Sequence, residues 1–327
     1  MHLDPFELHQ PTTVDETVRI AGEFAGRFDF LAGGTDLLPN YKMHINLKPH
    51  LVALDRVPEL SGHSLTRLGA MERLGRLEDD PAFLAAYPGI ADALADLATP
   101  LVRASGTVGG NLLVETRCFF FNQSYFWRAS LGFCLKADGD RCHVVPQKER
   151  CYATFSGDLA PPLLALDATV ELAGRDGRRT IPLADLYDVG GDGIHRLHLR
   201  PGELLVSVGF PRSAAGQRAR YKKLRVRPSF DFPELGVAVA GHWTADRVDH
   251  LRLAIGGIET YPHRFDELTD ALVGGPLSEA KVSLLAEEVT RRLRPVHNTF
   301  LPPDYRRRMI GVLVRRALME SREGRTS

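Results

Sequence analysis

Three observations predict an α+β protein. Short strands alternate with short helices over the first two-thirds of the chain, a break rich in Pro, Ser and Gly follows at 211–217, and beyond it come two strands and two amphipathic helices. The pattern divides into a small α/β lobe at 1–58, a second lobe at 59–213 carrying a cysteine-bearing insert at about 117–154, and an α+β carboxy-terminal domain with an antiparallel sheet at 214–327. A chain of 327 residues is long enough for two or three such units, each with its own core.

The elements follow in order. Thr13-Val14-Asp15-Glu16 is a capping box behind Pro11, and Val14, Val18, Ala21 and Ala25 keep helical spacing until Gly26. A strand at 28–31 runs into a glycine pair, followed by a polar helix at 37–43 and a strand at 51–54. In the second lobe we expect a strand at 65–70 and helical segments at 72–77, 82–86 and 90–97, the last closed by Thr99-Pro100. After the insert come a short helical turn at 162–166, a strand pair at 168–172 and 178–181 around Gly174-Arg175-Asp176-Gly177, and a strand at 203–210. The last part offers strands at 237–243 and 251–255, helices at 281–292 and 304–318, and a frayed tail at 320–327.

Composition narrows the function. The 41 basic and 41 acidic residues cancel, which gives no reason to expect a nucleic acid partner. No apolar run reaches bilayer length, and residues 1–10 lack the basic and apolar regions of an export signal, so the expectation is a cytoplasmic protein off the membrane. Neither H-E-x-x-H nor G-x-S-x-G occurs, so hydrolytic chemistry has no foothold.

Two loops place paired glycines after an ordered element: Leu31-Ala32-Gly33-Gly34-Thr35-Asp36 and Gly106-Thr107-Val108-Gly109-Gly110-Asn111. Glycine lets the main chain approach a ligand closely, and successive N–H groups form a concavity suited to a diphosphate. Neither is G-x-G-x-x-G and no G-x4-G-K-[ST] occurs, so nicotinamide and P-loop sites lack support. Each loop alone reads equally as a tight turn; two in one half of the chain favour a dinucleotide of another kind.

All four cysteines, Cys118, Cys134, Cys142 and Cys151, fall within about a tenth of the chain, among Phe119, Phe120, Phe121, Tyr125, Phe126, Trp127, Phe133 and Tyr152. The spacing C-x15-C-x7-C-x8-C allows thiolate ligation of an iron–sulfur cluster, although it lacks the tight C-x2-C pairs common in small ferredoxins. A structural zinc site normally takes two ligands from one C-x2–4-C knuckle, two disulfides need an oxidising compartment, and four unpaired buried thiols are the bland alternative. His143, beside Cys142, reads as a group outside the ligand set, since four thiolates already complete it.

The two glycine loops resemble the flavin-binding signatures of the medium, FAD-binding subunits of the xanthine dehydrogenase family of molybdenum hydroxylases. So do Ser156-Gly157-Asp158-Leu159-Ala160-Pro161 and the stretch 163–167. Tyr221-Lys222-Lys223-Leu224-Arg225, Phe230-Asp231-Phe232-Pro233 and 236–240 resemble that family's flavoprotein carboxy-terminal domain. The insert is similar to that of the β subunits of 4-hydroxybenzoyl-CoA reductases, on Thr116-Arg117-Cys118, Trp127-Arg128, Gly132-Phe133-Cys134-Leu135-Lys136, Gly139-Asp140-Arg141-Cys142-His143 and Arg150-Cys151-Tyr152-Ala153-Thr154.

The resemblance implies a two-lobed, PCMH-type FAD-binding region with an Fe–S insert, followed by a CO-dehydrogenase-flavoprotein-type domain. FAD would be held at Leu31, Ala32, Gly33, Gly34, Thr35 and Asp36 and at Thr107, Val108, Gly109, Gly110 and Asn111, with the amides of 33–35 and 109–111 cradling the diphosphate. Asp158 would meet the flavin's sugar portion, and Lys223 would sit near the isoalloxazine. The alternatives are a turn-stabilising Asp and a solvated lysine in the basic run 218–227. Cys118, Cys134, Cys142 and Cys151 would ligate a [4Fe–4S] cluster; Arg117, Arg128, Lys136 and Arg141 would offset its charge, dock a reductant, or be ordinary surface residues.

The implied partners are a molybdopterin-binding large subunit and a small [2Fe–2S] subunit in an (αβγ)2 heterohexamer, with ferredoxin as electron donor. The implied reaction is reductive dehydroxylation of 4-hydroxybenzoyl-CoA on the partner, to which this chain contributes no catalytic residue, only electron transfer. The rivals are a subunit of a related hydroxylase passing electrons outward and a zinc-stabilised binding module.

Overall fold

The computed structural model describes residues 3–324. In chain order the elements are β1 (Glu7–His9), α1 (Val14–Glu23), β2 (Phe28–Leu31), α2 (Leu37–Lys42), β3 (His50–Ala53), β4 (His63–Ser64), β5 (Arg67–Gly69), α3 (Leu74–Glu78), α4 (Pro81–Ala86), α5 (Pro88–Asp96), α6 (Pro100–Ser105), α7 (Val108–Leu112) and α8 (Tyr125–Ser130). They continue with α9 (Ala160–Ala165), β6 (Thr169–Gly174), β7 (Gly177–Pro182), β8 (Leu204–Gly209), β9 (Arg218–Leu224), β10 (Leu235–Thr244), β11 (Arg247–Gly256), β12 (His263–Arg264), α10 (Asp266–Asp270), α11 (Glu279–Arg292) and α12 (Pro303–Glu323). None of the described helices is long and apolar enough to cross a bilayer.

Three sheets result. A parallel sheet, ordered β1-β3-β2, belongs to the first lobe. An antiparallel sheet, β4-β5-β8-β6-β7, forms the second, and a further antiparallel sheet, β12-β11-β10-β9, the third. The α+β class is the one expected.

The largest core joins the second sheet to α4, α5 and α9 and to one face of the third sheet through Ala219, Tyr221, Ala238, Ala240 and Ala254. The other face of that sheet presents Val237, Val239, Leu253 and Ile255 to α11 and α12. Successive residues of β10 therefore divide by size, alanines towards α9 and valines towards the long helices, as the period of two requires. A smaller core of Val14, Leu54, Val57, Leu60, Ala173, Leu204 and Val206 joins the first lobe to the second sheet.

Several local expectations shift. Thr13 Oγ1 accepts from the Glu16 amide at 3.2 Å, but the return half of the box goes to Thr12, whose amide donates to Glu16 Oε2 at 2.8 Å. The strand expected at 65–70 is a hairpin, because Leu65 and Thr66 turn between β4 and β5, with the Thr66 amide on Ser64 Oγ. The break at 211–217 is a packed turn with Ala214 fully buried. Residues 320–323, expected to fray, are the last turn of α12: Ser321 Oγ donates to the Arg218 carbonyl, Glu320 pairs with Lys222, and Gly324 caps the helix in the left-handed region. The rest of that tail, 325–327, lies outside the described residues.

Candidate flavin cleft and cysteine cavity

A cleft of about 1070 Å³ opens where the lobes and the third sheet meet. The segment after β2 lines it with Ala32, Gly33, Gly34, Thr35 and Asp36; the start of α7 adds Thr107, Gly109, Gly110 and Asn111; Asp158 comes from the turn before α9, and Phe230 and Phe232 from the loop after β9. Leu31 and Val108 stand behind this wall, Val108 wholly within the core.

The two glycine pairs do different work. Gly33 lies so close to the end of α6 that a Cβ there would sit 2.0 Å from the Ser105 carbonyl oxygen, and Gly34 has φ +70°. The amides of Gly33, Gly34 and Thr35 donate to no acceptor among the described residues, which leaves them for a ligand. At the second pair the amides are already used: Gly109 donates to Ala70 O at 2.7 Å, Gly110 to Thr107 Oγ1 at 3.1 Å and Asn111 to Thr107 O at 3.0 Å. That segment is a short helix capped by Thr107 rather than a loop. Asn111 turns its Oδ1 to the Leu159 amide, fixing the turn that carries Asp158.

Asp158 is buried and accepts from Tyr221 OH at 2.7 Å and from Lys223 Nζ at 2.9 Å. Burial pushes its carboxyl pKa upward, against the pull of Lys223. The side chain of Lys223 is fully buried and also donates to the Asp96 carbonyl, so it is no solvated surface charge. It stands behind Asp158 rather than on the cleft wall. Asp36 accepts from Asn40 Nδ2 at 3.0 Å and is ion-paired with Arg117, whose guanidinium lies 4.4 Å from the Phe232 ring centre. On β2, Asp29 also lines the cleft; burial raises its carboxyl to about 6 although Tyr41 OH donates to it at 2.8 Å.

Cys118, Cys134, Cys142 and Cys151 converge on one small cavity walled by Phe120, Phe121, Leu135, Val144 and Ala153. All four thiols are free. Their spacing tests the metal. Around zinc, with Zn–S near 2.3 Å and tetrahedral angles, thiolates would stand about 3.8 Å apart. Among the described residues no three cysteine sulfurs come within 4.8 Å of one another. A four-iron cube, with a metal ion at each of four corners, holds its thiolates farther apart and suits this donor set. Burial pushes the Cys118 thiol up to about 12 and raises Cys134 and Cys151 as well, so thiolates here require a cation to draw off the protons.

Buried charges hold the insert. Arg128 donates to the carbonyls of Met43 and His44 in the first lobe and of Gln123 in its own segment. Lys136 pairs with Glu115 at 2.7 Å, bonds Thr116, and lies 4.6 Å from the Phe121 ring centre. Burial opposes ionisation of Glu115, yet Lys136 and Arg196 override it and hold the carboxyl at about 2. Neither Arg128 nor Lys136 is placed to meet a docking reductant; of the four flanking cations only Arg141 is well exposed. His143 Nε2 bonds the Phe133 carbonyl at 2.5 Å, outside the thiol set. The loop 133–138 faces both sites: Phe133, Ala137 and Asp138 line the cleft, while Cys134, Leu135 and Lys136 line the cysteine cavity.

Sequence reasoning passed over Glu115, Asp29 and the Asp36–Arg117 pair. Their signal is burial, which depends on partners far along the chain. Phe230 and Phe232 were noticed only as part of a motif.

Comparison with known proteins places the chain in a family. Residues 4–213 match the family model for the FAD binding domain in molybdopterin dehydrogenase, and residues 219–321 the CO dehydrogenase flavoprotein C-terminal domain. The carbon monoxide dehydrogenase medium chain of Hydrogenophaga pseudoflava is 28% identical over 318 residues, 96% of each chain. The aldehyde oxidoreductase FAD-binding subunit PaoB of Escherichia coli (strain K12) is 34% identical over 249 residues, covering 72% of this chain and 76% of its own. A solved carbon monoxide dehydrogenase from Hydrogenophaga pseudoflava, lacking the Mo-pyranopterin moiety, superposes with a TM-score of 0.78 at 27% identity over 99% of both chains. With a flavin-sized cleft, these matches over nearly the whole length show that the chain belongs to the FAD-binding medium subunits of the carbon monoxide dehydrogenase and xanthine dehydrogenase family of molybdenum hydroxylases.

Proposed function

We propose that this chain is the FAD- and [4Fe–4S]-carrying subunit of a molybdenum enzyme that reductively dehydroxylates 4-hydroxybenzoyl-CoA, with ferredoxin as donor. A molybdopterin-binding large subunit and a small [2Fe–2S] subunit complete the assembly, an (αβγ)2 heterohexamer. The observation that carries the reading is the convergence of four free thiols in a cavity one loop away from the flavin cleft. When bound, FAD supplies exchange between one- and two-electron transfer, and a [4Fe–4S] cluster supplies single-electron transfer.

The chain's own residues bind and space these groups. The unengaged amides of Gly33, Gly34 and Thr35 receive the diphosphate of FAD, and the second glycine pair lets α7 close against β5 to complete the wall. Asp158, positioned by Tyr221, Lys223 and the Asn111-anchored turn, presents a fixed acceptor at the cleft. Cys118, Cys134, Cys142 and Cys151 hold the cluster. The Asp36–Arg117 pair fixes the separation of the two sites, since Arg117 precedes Cys118 and Asp36 ends the first glycine segment.

A second reading is a hydroxylase subunit that passes electrons outward. It is favoured by the relatives, which include a CO dehydrogenase, an aldehyde oxidoreductase and a nicotine 6-hydroxylase. Two measurements decide. Protein purified without air should contain flavin and about four iron and four sulfide per chain; zinc alone would end the cluster assignment. The complete complex should dehydroxylate 4-hydroxybenzoyl-CoA with a strong one-electron donor. Failure there, with robust hydroxylation of another substrate, would establish the outward-flow reading instead.

A further inference from the structure

We infer that Glu7, His9 and His50 form a binding site for a zinc-type divalent cation on the parallel sheet, separate from the flavin cleft and the cysteine cavity. The register of β1 on β3 creates it. Glu7 pairs with His50 and His9 with Val52, so the side chains at 7, 9 and 50 emerge on one face of two neighbouring strands. One ligand atom from each of the three residues lies within 4.8 Å of the others, and no other such trio occurs among the described residues.

The separations lie near those of a coordination sphere, with the two oxygens of Glu7 each facing one imidazole. His9 Nε2 lies 3.2 Å from His50 Nδ1, His50 Nδ1 lies 3.3 Å from Glu7 Oε2, and His9 Nε2 lies 3.8 Å from Glu7 Oε1. Ligands at 2.0–2.1 Å around tetrahedral zinc stand about 3.4 Å apart. Two imidazoles with one carboxylate select zinc or a neighbouring late divalent ion over magnesium or calcium, which take oxygen donors. Both imidazole side chains are mostly buried while Glu7 is largely exposed, and the Phe24 ring stacks on His50 at 3.9 Å and lies 4.8 Å from His9. Three protein ligands and a solvent-facing side leave the fourth position to water. Because β1 is a three-residue edge strand, the ion would clip the start of the chain to the sheet.

Cobalt(II) titrated into the full-length protein tests this, because the spectrum separates the two sites: thiolate ligation gives intense sulfur-to-metal charge transfer, whereas nitrogen and oxygen ligation gives weak visible bands alone. We expect a nitrogen and oxygen type spectrum saturating near one equivalent per chain, as for a single site, and displaced by zinc. His9→Ala and His50→Ala should weaken it at least 10–100-fold, the loss that even an outer-sphere partner produces. His9→Gln and His50→Gln, which keep side-chain bulk, should do the same while circular dichroism stays unchanged. Zinc should raise the melting midpoint of the parent protein and leave that of His50→Gln unmoved. No nitrogen and oxygen type spectrum, or one that persists in folded His9→Gln and His50→Gln, would overturn the inference.

Discussion

The flavin cleft and the cysteine cavity share the loop 133–138 as a wall, yet they are built by opposite means. The cleft draws its glycine walls from main chain at the ends of regular elements, and Gly33 and Gly109 are set there by close packing on neighbouring backbone. The cavity is made of side chains on a segment with one short helix, α8, and is held by buried cations and by Asn298. Asn298 donates to the Tyr152 carbonyl, accepts the Phe119 amide on its own carbonyl, and is itself bonded by the buried Arg306. A site of the first kind is formed before its ligand arrives. A site of the second kind, with thiols that burial keeps protonated, is completed by its ligand.

The sharpest break between the two is all-or-none. Cys134→Ser should abolish incorporation of the full iron complement while FAD stays bound at parent stoichiometry, read by iron and flavin content of the same preparation. Loss of both together would mean that the shared wall makes one cooperative unit.

Next in size is Lys223→Met. It leaves Asp158 buried without its cation, and breaking a buried pair from one side costs roughly 3–5 kcal/mol. Chemical denaturation should show that loss. Adding Asp158→Asn should recover much of it if Lys223 acts through Asp158; a double variant as unstable as the single one would place the role of Lys223 elsewhere.

Gly33→Ala comes third. The new methyl meets a backbone carbonyl that cannot swing aside, so the two glycine segments must part, at about 3 kcal/mol, the upper end of overpacking costs. Flavin affinity should fall with stability while iron content holds. Gly33→Ala protein with unchanged flavin affinity would take this segment out of the binding wall.

The same division explains what could be read from the sequence. The capped helix α1, strand β2, the hairpin of β6 and β7 and the four clustered cysteines carry local signals, and they were legible. Helix α7 was not, because two glycines in five residues argue against a helix; Thr107 and packing on Ala70 supply what propensity lacks. Strand β9 was hidden in a basic run, although Ala219 and Tyr221 alternate inward within it. The burial of Lys223 depends on Asp158, 65 residues away, and Asp96, 127 away, and no local pattern encodes that. Strand β1 is three residues long, below the reach of any periodicity.

The last effect is read through pH, at two carboxyls of the cleft that burial and ion pairing move in opposite directions. Beside the insert, Glu115 is held at about 2 by Lys136 and Arg196, and within it burial pushes Cys118 up to about 12. The cleft has Asp29, raised by burial from 3.8 to about 6. A carboxyl whose pKa is higher in the folded than in the unfolded chain binds more protons when folded, so stability falls as pH rises through that window. The contribution is present in full below about pH 4 and is lost as pH rises through about 6, amounting to at most roughly 3 kcal/mol at 1.36 kcal/mol per unit. Asp29→Asn has no such proton to lose. Measured by denaturation at several pH values, Asp29→Asn should gain on the parent protein as pH rises from 4 to 7, whereas Glu115→Gln should fall further behind it as pH rises from 4 to about 5 and then keep a constant gap. A constant gap between Asp29→Asn and the parent would mean that Tyr41, donating at 2.8 Å, keeps Asp29 ionised throughout.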